Sequence, residues 1–434
     1  MRRFLALVVG SLVLLSLTAA GWPTNHGDAR RSGYLPTQKK FTGTLTTAFT
    51  KTLDGAVYGS PILVGTNVVV ATENNTVYAF DAATGAPRWS RHLHTPVARS
   101  ALPCGNIDPL GITGTPTYNA ATNRIFVITE SPDATSVARH EVFGLNATTG
   151  ATEVNRRMEV PGTDPKAQQQ RAALADDGKG NIYAAFGGLA GDCGNYKGAV
   201  ISFKASGALG AKAYVVPTTR EAGIWAAGGP VIDSAGSVYV SVGNGESTSG
   251  FDYSDSVTKL NSTAQRIDYF APTTWASDNA SDLDLGSLTP ALTSNGRILQ
   301  AGKSGTGYVL NPAHLGGIGG QLYKASLCAA FGVSAVTGST VYLPCTNGVT
   351  RVEVSTAGTF TVKWKQGSVN GSPVAGNGAL YTLGNGNLYA VSGSTGQILK
   401  SIAVGTTTRF ATPALGPSRI YIGTTTGLTV VNVA

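Results

Sequence analysis

The feature that most constrains this chain is a repeated four-strand unit, clearest from Gly59 to Leu93 (GSPILVGTNVVVATENNTVYAFDAATGAPRWSRHL). Its apolar runs predict strands at Ser60–Val64, Asn67–Thr72, Thr76–Asp81 and Pro87–Leu93, separated by turns of Gly, Asn, Asp and Thr. The same order returns from Gly371 to Gly405, where the Asp81–Gly85 turn becomes Ser392–Gly396. Degenerate copies begin near Gly114, Gln170, Gly228, Gly286 and Ala329. A last copy, from Phe410, stops after three strands. Such spacing is that of a β-propeller, in which each blade buries its faces against its neighbours. The prediction is an all-β, eight-bladed propeller of four-stranded antiparallel blades. Leu45–Leu53 supplies the missing strand, so the two ends of the chain close the ring and remove its open edge. No stretch carries sustained helical periodicity.

The N-terminus reads as an export signal. Arg2 and Arg3 precede an apolar run from Phe4 to Leu17 and the small residues Thr18-Ala19-Ala20-Gly21. Cleavage is expected after Ala20, by ordinary secretion, because the Arg pair lacks the usual twin-arginine spacer. The run is shorter than the roughly 20 residues that span a bilayer, and no second apolar segment follows. Residues 21–434 are therefore expected to form one monomeric domain, secreted or periplasmic, with no membrane span.

Four cysteines in an exported chain favour two disulfides. Cys328 and Cys345 flank one predicted hairpin turning near Gly338, which leaves Cys104 to pair with Cys193. No C-x-x-C or haem-attachment motif occurs. The formal charge of +8 is spread along the chain rather than gathered with aromatics into a stripe, which argues against nucleic acid. Gly302-Lys303-Ser304 lacks the upstream glycine and following helix of a phosphate loop. His92 and His94 share a strand face but have no nearby third ligand.

The connections between Leu93 and Gln321 are longer than those after Ala329, so function is expected on the face that carries them. Turns such as AFDAATGAPRW resemble the repeat of quinoprotein dehydrogenases, over nearly the whole chain after the signal. Within the long-loop half, GIWAAGGPVIDSAGSVYVSVGNG resembles the family's segment from quinone floor to metal ligand. The resemblance implies Trp225 as the surface on which pyrroloquinoline quinone stacks and Asn244 as a calcium ligand. SDLDLGSLTPALTSNGRILQAGKSGTG resembles the next blade of the family. It implies Asp284 as the base that takes the alcohol proton, and also as a metal ligand, with Asp282 competing for the first role. Lys303 would face the quinone oxygens, and Arg171 a quinone carboxylate. Asp192, in FGGLAGDCGNYKG, is the nearest match to the family's acidic calcium ligand. The adjacent cysteines that cover the quinone in many relatives are absent, for Cys104 stands alone. Two function classes follow: an oxidoreductase for a small or polymeric alcohol or sugar, or a non-catalytic propeller binding protein or carbohydrate. The family's outer-membrane assembly lipoprotein exemplifies the second, although no lipobox Cys follows the signal here.

Overall fold

The computed structural model describes residues 21–133, 138–208 and 212–434. The export signal expected over residues 1–20 lies outside them. Eight small sheets stand around one axis as propeller blades, numbered here in chain order of their inner strands. Blade 1 runs Ile62–Val64, Asn67–Ala71, Thr76–Asp81 and Pro87–His92, each strand antiparallel to the last. Blade 8 runs Ala414–Leu415, Arg419–Thr424 and Gly427–Val433, and the N-terminal strand Leu45–Thr52 completes it. Leu45 pairs with Val433 and Thr52 with Gly427, so the ring closes as the truncated repeat predicts.

Burial follows strand position. The second strand of blade 1, Asn67–Ala71, is almost wholly buried, whereas the outer strand Pro87–His92 is mostly exposed. Apolar side chains of the inner strands fill the seams between blades: Val69 and Ala79 of blade 1 share a core with Ile125 and Phe143 of blade 2. Outer strands carry charge, as in Thr152–Arg157 and Phe360–Gln366, which discourages pairing along their free edges. The repeated turn also locks blade to blade. Trp89 donates its indole N–H to the Ala147 carbonyl of the next blade at 3.1 Å, and Trp364 repeats this with Gly393 at 3.2 Å. Gly150 lies on the Trp89 ring with φ +69°, where a Cβ would come within 2.6 Å of that ring. Only glycine fits there.

The segment before the closing strand has a role that the sequence reading left blank. Trp22 exchanges backbone hydrogen bonds with Leu63 of blade 1, and Pro23 accepts from Tyr118 of blade 2. Thr24 donates to the Leu174 carbonyl of blade 3, Ala29 accepts from Ile232 of blade 4, and Arg30 donates to Thr293 of blade 5. Ser32 and Gly33 accept from Val336 and Ala375 of blades 6 and 7, and Lys39 donates to Pro417 of blade 8. The segment thus straps the downstream ends of the inner strands, visiting all eight blades in order. His26 is fully buried within the strap, and burial followed by the Arg31 charge lowers its pKa to about 3. The imidazole is neutral there. Opposite the strap, at the upstream ends of the inner strands, the funnel described next opens.

Candidate functional site

The chain enters each inner strand from the outer edge of the preceding blade, so residues just upstream of these strands converge on the axis. Tyr58, Arg171, Phe331 and Phe410 stand at this place in blades 1, 3, 6 and 8. With Trp225, Asn244, Asp284 and Lys303 they enclose a cavity of about 470 Å³. Phe331 and Phe410 come from compact blades with short loops, so the funnel draws on both halves of the ring. Sequence reasoning missed them, although YGSPIL, RAALAD, FGVSAV and FATPAL align as one repeat position.

Five of the expected residues form one hydrogen-bonded group. Asp284 Oδ1 accepts the Trp225 indole N–H at 3.3 Å and the Asn244 backbone N–H at 2.9 Å. The Asn244 carboxamide, in the orientation that satisfies both its ends, donates to the same carboxylate at 3.0 Å. Lys303 Nζ stands 2.5 Å from Asp284 Oδ2 and 2.6 Å from Asp282 Oδ1. Asp284 is buried, whereas the Asp282 side chain is 64% exposed at the funnel's edge. Burial pushes the Asp284 carboxyl up, and Lys303 opposes that shift. Burial draws the Lys303 ammonium down, but Asp284 and then Asp282 outweigh it and hold its pKa above the usual range.

Local chain geometry makes this cluster possible. A Cβ at residue 243 would fall 2.0 Å from Asp284 Oδ1, so Gly243 lets the carboxylate reach the Asn244 N–H. Asn279, on the short helix Trp275–Ala280, accepts the Gly245 N–H at 2.8 Å and donates to the Ser247 carbonyl at 2.6 Å. It pins the loop that presents Asn244. Beneath the cluster Asp255 is buried, and burial holds its carboxyl well above the usual range while Leu285 N–H opposes.

Arg171 and Asp192 line the same cavity without joining the group. The Arg171 guanidinium lies 5.5 Å from the Phe410 ring centroid and donates to Gln169 at 3.2 Å. Burial lowers its pKa, and the neighbouring Glu73 charge resists this. Asp192 is exposed and accepts the Tyr196 hydroxyl at 2.5 Å. Its neighbour Cys193 is bonded to Cys104, and Cys328 to Cys345, with Cα–Cα distances of 6.1 and 5.7 Å, as expected.

The funnel suits a flat polyanion. Trp225 offers an indole fixed at its N–H edge, flanked by Phe410 at 6.0 Å and Phe331 at 6.4 Å. Lys303 and Arg171 supply positive charge. The donor set does not suit calcium, which needs several bare oxygens turned on one point. The Asp284 oxygens already accept from Trp225, the Asn244 backbone N–H and the Lys303 ammonium. Asp192 faces Tyr196 instead. Among the described residues, no three His, Cys, Asp or Glu side chains converge. The calcium set of Asn244, Asp192 and Asp284 that the resemblance implies thus has a lysine beside the carboxylate that an ion would neutralise.

A family model described as outer membrane protein assembly factor BamB matches residues 42–265. No curated protein matches the chain. A quinohemoprotein alcohol dehydrogenase from Comamonas testosteroni is similar in structure with a TM-score of 0.71, at 16% identity over 95% of this chain and 80% of that chain. A europium-containing methanol dehydrogenase gives 0.73 at 14% identity, over 95% and 98% of the two chains. BamB from Moraxella catarrhalis gives 0.62 at 13% identity, over 90% and 100%. At these identities the likenesses establish a shared fold. Among the described residues, no helix is long and apolar enough to cross a membrane.

Proposed function

From the premise that the chain belongs to the pyrroloquinoline-quinone-type propeller repeat family, we propose that its funnel binds one planar, polyanionic quinone outside the cytoplasm, without a metal ion. One observation carries the reading: Trp225, Lys303 and Arg171 line a single cavity, so that a stacking surface and two cations converge. Trp225 would hold the ring system by its face, Lys303 the quinone oxygens and Arg171 a carboxylate. Two disulfides suit the extracytoplasmic location. A bound quinone of this class supplies an acceptor for the hydride equivalent of an alcohol or sugar.

The two carboxylates divide the remaining work. Asp284 accepts donors on both oxygens, so it positions Trp225, Asn244 and Lys303 rather than taking a proton. Asp282 spends one oxygen on Lys303 and is open to solvent, which makes it the carboxylate suited to accept the hydroxyl proton. The saturated state of Asp284 also favours a second reading, in which ligand is bound and no turnover follows. The test is titration of the disulfide-intact protein with pyrroloquinoline quinone, with and without calcium, followed by dye reduction over a panel of alcohols. Quenching of tryptophan fluorescence with dye reduction supports the oxidoreductase. Quenching alone supports the binding protein, and neither quenching nor thermal stabilisation overturns both.

A further inference from the structure

Beside the main cavity lies a smaller one, of about 120 Å³, and Phe331, Thr408, Arg409 and Phe410 line both. Arg409 is the charged group on this shared wall. Its guanidinium carbon lies over the Phe331 ring, 4.1 Å from the centroid, and 5.8 Å from the Phe410 centroid. The other charged side chains of the funnel have partners: Lys303 has Asp282 and Asp284, Asp192 has Tyr196, and Arg171 has Gln169. Among the described residues, no carboxylate lies within ion-pair distance of Arg409. Next to it the Thr408 hydroxyl is buried without a partner. Asn370 and Asn385 add amides to the smaller cavity's lining.

A guanidinium resting over an aromatic ring with no carboxylate partner keeps N–H groups free, and these match a carboxylate in two parallel hydrogen bonds. We infer that Arg409 selects a second ligand, a small hydroxylated carboxylic acid whose carboxylate meets these groups. Its hydroxyls would meet Thr408 and the amides. One guanidinium without a companion cation fits a single negative charge better than a phosphate dianion. This assignment deepens the reading of the funnel as a binding site by giving the class of its second ligand, and it does not need the quinone.

The test is calorimetric titration of the quinone-free chain after the signal with glucuronate, glucose and inorganic phosphate. Glucuronate is expected to bind about tenfold or more tighter than glucose, the scale of one charge-assisted contact. Arg409→Gln should abolish that preference, and Arg409→Lys should keep part of it. Thermal melts of each variant check that the exposed substitution leaves the fold intact. Equal binding of glucose and glucuronate, no binding of either, an unaffected Arg409→Gln, or phosphate binding as tightly as glucuronate would overturn the assignment. Arg409-dependent glucuronate binding without quinone binding would remove the quinone reading alone, and the reverse would remove this inference alone.

Discussion

Lys303 sets its ammonium 2.5 Å from Asp284 Oδ2, joining a lysine beyond one inner-strand hairpin of blade 5 to the carboxylate that precedes that blade. The pair ties the entry of blade 5 to its second strand while Trp225 and Asn244 tie the same carboxylate to blade 4. Lys303→Met would leave Asp284 buried without its counter-charge, at a cost of about 3 kcal/mol at pH 7. A carboxyl whose folded pKa is raised binds its proton more tightly in the fold, so its ionisation destabilises the fold as pH rises above the unfolded value near 3.8. The penalty of Lys303→Met should therefore be smallest near pH 4 and grow toward neutrality. Urea melts across that range would show this, and a penalty independent of pH would refute it.

Glu73 gives a second pH dependence. Its carboxyl is buried, one oxygen accepts Gly111 N–H at 2.7 Å, and the other has no partner. Burial raises its pKa from 4.5 to about 7, against the pull of Gly111. Stability from this group is full below pH 4.5 and is lost as pH rises toward 7. Above that, its ionisation costs on the order of 3 kcal/mol. Glu73→Gln should remove this loss, stabilising the protein at pH 8 and changing little at pH 4. Equal effects at the two pH values would show that Glu73 does not titrate there.

The two disulfides should differ in weight. Cys104–Cys193 closes a loop of 89 residues and Cys328–Cys345 one of 17. In the chain-entropy account the longer loop contributes about 4–5 kcal/mol and the shorter about 3. Paired Cys→Ser variants, compared by urea denaturation, should rank in that order. The longer bond also fixes the loop bearing Asp192, so its loss should loosen the funnel's rim. Hydrogen exchange in residues 189–196 would register that loosening.

Much of the ring was legible because each blade repeats one apolar pattern and the last copy lacks one strand. Leu45–Thr52 could be placed from that deficit alone. The strap was not legible, because it carries no periodicity. Thr24 and Arg31 earn their burial by donating to the Leu174 carbonyl, a partner some 150 residues away that no local pattern announces. The site was half legible for a similar reason. Chain position put Trp225, Asn244, Asp284 and Lys303 on one face, but whether Lys303 faces a ligand or a carboxylate depends on side-chain geometry. Phe410 was hidden differently, in a short-loop blade where only alignment of the repeats sets it beside Tyr58.

The strap itself should be essential to the ring. Trp22 is 1% exposed and belongs, with Leu63, Tyr381 and Tyr421, to the core that joins blades 1, 7 and 8. Trp22→Ala should cost about 3–5 kcal/mol, the scale of emptying a large aromatic site. Removing residues 21–41 should do more, since the inner strands of all eight blades would lose their downstream partners. Limited proteolysis of that truncation should digest the chain where the intact protein resists, and an equally resistant truncation would show the strap to be dispensable.

The carboxylates separate binding from turnover. Asp284 accepts from Trp225, Asn244 and Lys303, so Asp284→Asn should disturb all three and weaken quinone binding as well as any activity. Asp282 touches only Lys303 among these, and on the proposed division of roles Asp282→Asn should leave binding within about threefold while removing most turnover. Trp225→Ala should weaken the quinone by about 1–3 kcal/mol, on the scale of base–aromatic stacking. Calcium should not tighten binding in the wild-type protein, because Lys303 already neutralises Asp284. In Lys303→Ala, with that carboxylate released, added calcium should begin to tighten it. Fluorescence titrations with and without calcium give the affinities, and dye reduction gives the turnover. Calcium-dependent binding by the wild-type protein would show that an ion displaces Lys303 and would return Asp284 to the role of ligand. Full turnover in Asp282→Asn would take the proton-accepting role away from that residue.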